Sequence, residues 1–111
     1  MDGISYRKKR KVKTYPMPGK IGEVGKVFIE RFMSEFRPAE RTVHQYQVSL
    51  SRFAVRMDQD GVTLKTLNEA KVIDFVSSVQ NTSTYVCFPV RRFLHYLHTE
   101  HLTHIDLSGV L

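Results

Sequence analysis

Residues 41–61 constrain the fold of this chain most. Apolar residues recur there at Val43, Tyr46, Leu50, Phe53, Ala54 and Met57. Gaps of three and four put all six on one stripe of a helix of period 3.6. Gly61 follows the stripe and suits a C′ position, where a left-handed backbone ends a helix without a Cβ penalty. Pro38 stands just outside or in the first turn, where its missing N–H costs nothing. Arg41, Thr42, His44 and Gln45 crowd the N-terminal turns, and Arg52 and Arg56 continue on the side away from the stripe. Such a helix buries one face and turns the other to solvent or to an anion.

The same periodicity marks three more helices. Over residues 21–36 the apolar face is Val24, Val27, Phe28, Phe32 and Phe36, and Arg37 before Pro38 ends the segment, because a residue preceding proline avoids the α region. After a loop at 62–67, a helix over 69–79 has Asn68 as its N-cap and Val72, Ile73, Val76 and Val79 toward the core. Residues 80–83 are turn material, with Ser83 or Thr84 as the next cap. The last helix runs to about Thr99 with Val86, Val90, Phe93, Leu94 and Leu97 as its apolar set. Pro89 lies within that set, and an interior proline costs a helix roughly 3 kcal/mol. Either the helix begins near Thr84 and kinks, or it begins near Phe88 with Pro89 in its first turn. Residues 102–111 read as a connector in which Asp106 caps a short turn. The expectation is an all-α, four-helix orthogonal bundle with a core of Phe28, Phe32, Tyr46, Leu50, Phe53, Val72, Ile73, Val76, Phe93 and Leu97.

A chain of 111 residues with 41% hydrophobic and 25% charged residues suffices for one domain. Its single cysteine, Cys87, permits no intrachain disulfide. No apolar run approaches the roughly 20 residues of a membrane span, and no apolar segment follows the basic N-terminus as in a secretory signal. A cytoplasmic location is expected. Charge is uneven: residues 1–20 carry seven basic residues against one acid, whereas residues 21–111 hold ten of each. Residues 1–20, with Pro16, Pro18 and Gly19 and no periodicity, read as a disordered or extended arm. Its cluster Arg7, Lys8, Lys9, Arg10 and Lys11 suits phosphate tracking and also matches a nuclear-localisation pattern.

In order, RTVHQYQVSLSRFAVRMDQDGV, TLNEAKVIDFVSSV and STYVCFPVRRFLHYLHTEHL resemble the SAM-like core-binding domain of phage integrases and other tyrosine recombinases. The positions that carry the resemblance are Thr42, Tyr46, Gly61, Arg92, Phe93, Leu94, Tyr96 and Leu97, over roughly residues 22–107. Asp106 and Leu107 resemble that family's exit toward a second domain, and Pro89 departs from its pattern. The resemblance implies a SAM-like domain over 21–105, a linker from 106 to a catalytic domain outside this chain, and a role in clamping duplex DNA beside the cleavage site. It implies as partners double-stranded DNA, the catalytic domain of the same parent chain and other recombinase protomers. No His-x-x-Arg occurs, and no tyrosine follows a suitable Arg/His set, so neither nuclease nor ligase activity is expected of this segment alone, and no cofactor.

Two surfaces are candidates for DNA. Helix N-termini favour phosphates through free N–H groups and the macrodipole. Arg41, Thr42, His44 and Gln45, with Arg52 further along, mark one; Ser83, Thr84 and Tyr85, with Arg91 and Arg92 two turns on, mark the other. The competing role for Arg91 and Arg92 is an ion pair with Glu100 or Asp74. His95, His98, His101 and His104 recur every third residue, but a helix rotates such a row around its axis, so four do not converge and no metal site is expected. Cys87 carries no mark of an activated thiol. A second class of function remains open beside DNA binding: a helical protein–protein interaction domain with a nonspecific basic tail.

Overall fold

A computed structural model of the chain describes residues 15–79 and 83–110. Among these, four α-helices follow one another with no strand: α1 (Gly19–Phe36), α2 (Glu40–Gln59), α3 (Glu69–Ser78) and α4 (Ser83–Thr99). A 3-10 turn at Leu107–Val110 completes the fold. The central element is α2, which packs chiefly on α4 and α1, while the 3-10 turn docks on α4 and α3.

Local chemistry sets the helix ends. Arg37 takes a left-handed conformation (φ 45°) and its N–H reaches the Met33 carbonyl, closing α1 directly before Pro38. At the end of α2, Val62 N–H bonds to Met57 O at 2.8 Å and Gly61 N–H to Asp58 O at 3.1 Å, with Gly61 at φ 68°. That is a Schellman motif, and its hydrophobic partners Met57 and Val62 are both buried. Asn68 caps α3 by accepting from Lys71 N–H at 3.1 Å. The end of α4 repeats the Schellman pattern, with Leu102 N–H on Leu97 O at 2.8 Å and His101 N–H on His98 O at 2.9 Å. Here the left-handed position is taken by His101 (φ 61°) instead of glycine.

Tyr46, Leu50, Phe53, Ala54 and Met57 of α2 are buried as expected, opposite Val86, Val90, Phe93, Leu94 and Leu97 of α4. Aromatic rings join the layers: Phe32 stacks on Tyr46 with centroids 4.4 Å apart, Phe28 lies 5.5 Å from Phe93, and Phe53 meets Phe75 edge-on at 5.1 Å. Two expectations need correction. Ile73 is 50% exposed, and Phe75 at 1% takes its place in the core. Positions 72, 75, 76 and 79 share one helical face, and 73 lies a residue's turn away from it. In α1, Val27 and Phe36 face solvent while Ile21 and Ile29 are buried, because the stripe follows 21, 25, 28, 29 and 32.

The ordered fold begins before residue 20. Gly19 and Lys20 belong to α1, and residues 15–18 lie against the bundle. The buried Ser51 hydroxyl donates to the Pro16 carbonyl at 2.7 Å, across 35 residues. Tyr15 is hydrogen-bonded to His44 Nδ1 at 2.9 Å. Met17 packs on the core so closely over α1 that a Cβ on Gly22 would overlap the Met17 carbonyl. The expected arm is therefore anchored over its last residues; Arg7, Lys8, Lys9, Arg10 and Lys11 lie outside the described residues.

Candidate functional site

Pro89 lies inside α4 and is buried. Proline has no N–H, so the carbonyl four residues earlier, that of Tyr85, loses its helical donor. The structure supplies two replacements from α2: Gln45 Nε2 donates to Tyr85 O at 2.8 Å and Ser49 Oγ donates to it at 3.3 Å. A carbonyl without its helical donor is open to another partner, and here the two bonds tie the first turns of α4 to the first half of α2. The long form of the last helix is the one observed, and its proline is compensated by another helix.

This junction brings Gln45 of the first candidate surface and Tyr85 of the second, 40 residues apart in sequence, together at one corner of the bundle. It also changes the role of individual residues. Gln45 is spent on the Tyr85 carbonyl and holds the corner, whereas His44 is spent on Tyr15 and ties the segment before α1 to α2. Arg41, Arg52 and Arg56 follow Gln45's face of α2, at the spacing of whole helical turns. Arg56 is paired with Asp60 at 3.0 Å, whereas Arg41 and Arg52 are exposed with no partner among the described residues. Arg52 borders a shallow groove with Phe75, Ser78 and Val79. The α2 N-cap is Ala39, which makes no side-chain cap bond, and Glu40 is the acid of the first turn. Thr42 is half-buried and Tyr85 is exposed. Ser83 and Thr84 open α4; the described side chains of that helix begin at Tyr85.

Arg91 and Arg92 border a different feature, the cleft between α1 and α4. Arg92 lies over the rings of Phe32, Phe36 and Phe88 at 5.5, 6.0 and 5.9 Å and forms no ion pair with Glu100 or Asp74. Glu100 belongs instead to Arg31, at 3.6 Å. Arg31 also donates to the Tyr96 hydroxyl at 3.2 Å, and this bond, with the Glu100 charge, raises its pKa.

The histidine row is broken by the end of α4. His95 Nδ1 bonds to Asp106 at 2.8 Å, His98 reaches the Thr103 carbonyl at 3.4 Å, and His101 and His104 follow the helix end. Among the described residues no three His, Cys, Asp or Glu side chains are grouped as a metal ion needs. Asp106 also accepts from Ser108 Oγ at 2.6 Å and Ser108 N–H at 3.0 Å, which caps the 3-10 turn. The Ser108 hydroxyl first, then His95, hold the Asp106 carboxyl well below the usual carboxylate range. Burial raises the pKa of Cys87 and of Tyr46, the latter offset by Arg92.

Sequence reasoning missed Ser49 and Ser51, two buried hydroxyls of α2, and the consequence of Pro89. The available signal was the pair itself: an interior proline, and small hydroxyl residues flanking a neighbouring apolar stripe. No helix among the described residues is long and apolar enough to cross a membrane. No protein-family model, no curated protein and no solved structure matches the chain.

Proposed function

We propose that this chain is the DNA-binding module of a site-specific tyrosine recombinase or phage integrase. In this reading it has a SAM-like orthogonal fold, grips duplex DNA next to the cleavage site, and leaves strand cleavage to a separate domain of the parent protein. The observation that carries the reading is the Gln45–Tyr85 bond at 2.8 Å, which draws the N-terminal turns of α2 and α4 into one corner as a shared DNA surface requires. Arg41 and Arg52, exposed and without partners among the described residues, contact phosphate or base edges. Thr42, Tyr85 and the turn of Ser83 and Thr84 complete the surface, and Gln45 and His44 position it. The basic cluster at 7–11 adds salt-sensitive, sequence-independent affinity.

Titrating duplex into labelled protein, with amide shifts followed by NMR, tests this. Shifts are expected in residues 41–45, at Arg52 and at the start of α4. Arg41→Ala is expected to weaken binding by roughly 1–3 kcal/mol with the fold intact, and Glu23→Ala on α1 to leave it unchanged. Shifts confined to α1 and α3 sink the assignment. A second reading, a helical protein–protein interaction domain with a nonspecific tail, draws on the exposed rings of Phe36 and Phe88; shifts only before Ile21 would favour it.

A further inference from the structure

The seam between the C-terminal half of α1 and the middle of α4 holds an open cleft of 530 Å³, within the roughly 300–1,000 Å³ of ligand sites. Its floor is aromatic; Phe36, which borders it, is 60% exposed, and Phe88, outside it but 5.9 Å from the Arg92 guanidinium, is 47% exposed. Three arginines border it, and they differ in state. Arg31 is closed internally by Tyr96 and Glu100. Arg92 lies over the rings of Phe32, Phe36 and Phe88, contacts that leave its N–H fork unused. Neither Arg92 nor Arg91 has a carboxylate within ion-pair distance among the described residues.

A planar guanidinium beside apolar rings matches a carboxylate carried next to an apolar group. Charge narrows the choice further. Glu35 and Glu100 also border the cleft, so its three arginines leave a surplus of one positive charge. One carboxylate fits that balance; a phosphate chain would bring several charges past two glutamates. The chain's own N-terminal arm has the wrong sign, with six basic residues and one acid in residues 1–14.

We propose that this cleft docks a peptide segment of a partner protein that carries an Asp or Glu beside a bulky apolar side chain. The carboxylate engages Arg91 and Arg92, and the apolar side chain lies on Phe36 and Phe88. This stands whether or not the α2 surface binds duplex.

The test selects a random peptide library on the whole chain and measures the enriched peptides by calorimetry against the wild type, Arg91→Gln and Arg92→Gln. Enriched sequences are expected to pair an acid with a bulky apolar neighbour and to shift the amides of Phe36, Phe88 and Arg92. Each arginine variant, and replacement of the peptide's acid by its amide, is expected to weaken binding by at least about tenfold. Arg91 is exposed and unpaired among the described residues, so Arg91→Gln keeps the test decisive if Arg92→Gln unfolds. The proposal is overturned if no peptide is enriched, if the enriched peptides lack an acid, or if they bind both variants as they bind the wild type. It is equally overturned if a single-stranded oligonucleotide, and no peptide, shifts the cleft residues. A concentration-dependent dimer abolished by Arg91→Gln would make the occupant a second copy and replace the proposal.

Discussion

Gln45 supplies to the Tyr85 carbonyl, at 2.8 Å, the hydrogen bond that Pro89 withholds. The two residues therefore act on one acceptor and are expected to be energetically coupled. Gln45→Ala is expected to destabilise the fold by about 1 kcal/mol, the lower end for an under-satisfied carbonyl, because Ser49 still donates. Pro89→Ala restores an N–H to α4, so Gln45→Ala in that background is expected to cost much less. Denaturant unfolding of the four variants measures the coupling, about 1 kcal/mol. Strict additivity would mean that Gln45 does not compensate for the proline.

Phe75 and Ile73, two residues apart on α3, are expected to behave in opposite ways. Phe75→Ala opens a cavity against Phe53 and is expected to cost about 3–5 kcal/mol. Ile73→Ala, on the solvent side, is expected to stay within about 0.5 kcal/mol. Urea midpoints of the two variants decide the register of α3.

The helices and most of the core are legible in the sequence because α2 and α4 carry complete stripes. Val43 through Met57 and Val86 through Leu97 leave one solution each. The short α3 has fewer turns over which a stripe repeats, so Ile73 and Phe75 compete on hydrophobicity alone and tertiary packing decides. The candidate site is less legible. Arg41 and Arg52 can be named from their face of α2, but whether Gln45 and His44 face outward depends on Tyr85 and Tyr15, contacts made across 40 and 29 residues. The position of Arg92 depends on three rings from two helices, and no local pattern encodes it.

His101 occupies the left-handed position that ends α4 (φ 61°). A residue with a Cβ is strained there by about 1–2 kcal/mol. His101→Gly is expected to stabilise the fold by about 1 kcal/mol, read as a higher unfolding midpoint at neutral pH. An unchanged or lower midpoint would show that the imidazole makes up for the strain.

Asp106 links stability to pH. Its carboxyl is depressed by Ser108, then by His95. A group with a depressed folded-state pKa stabilises fully above its unfolded value, about 4 for Asp, and loses that contribution as pH falls toward the native value. The wild type is therefore expected to exceed Asp106→Asn in thermal midpoint at pH 5–7, with the gap closing below about pH 4. A gap independent of pH would assign the effect to geometry rather than charge.

The bonds from Ser51 to Pro16 and from Tyr15 to His44 have a consequence for reach. They fix Tyr15, the root of the basic segment, against His44, one helical turn along α2 from Arg41. Lys11 is four residues before Tyr15 and Arg7 eight. At about 3.3–3.6 Å per residue, no part of that basic cluster strays more than roughly 30 Å from its root. The cluster is a tethered polycation, and for a short tether the concentration felt at a neighbouring surface is on the order of millimolar. A duplex seated on Arg41 and Arg52 would meet those charges as an intramolecular event. Cutting the chain between Lys11 and Tyr15 would dilute them to the concentration of free peptide.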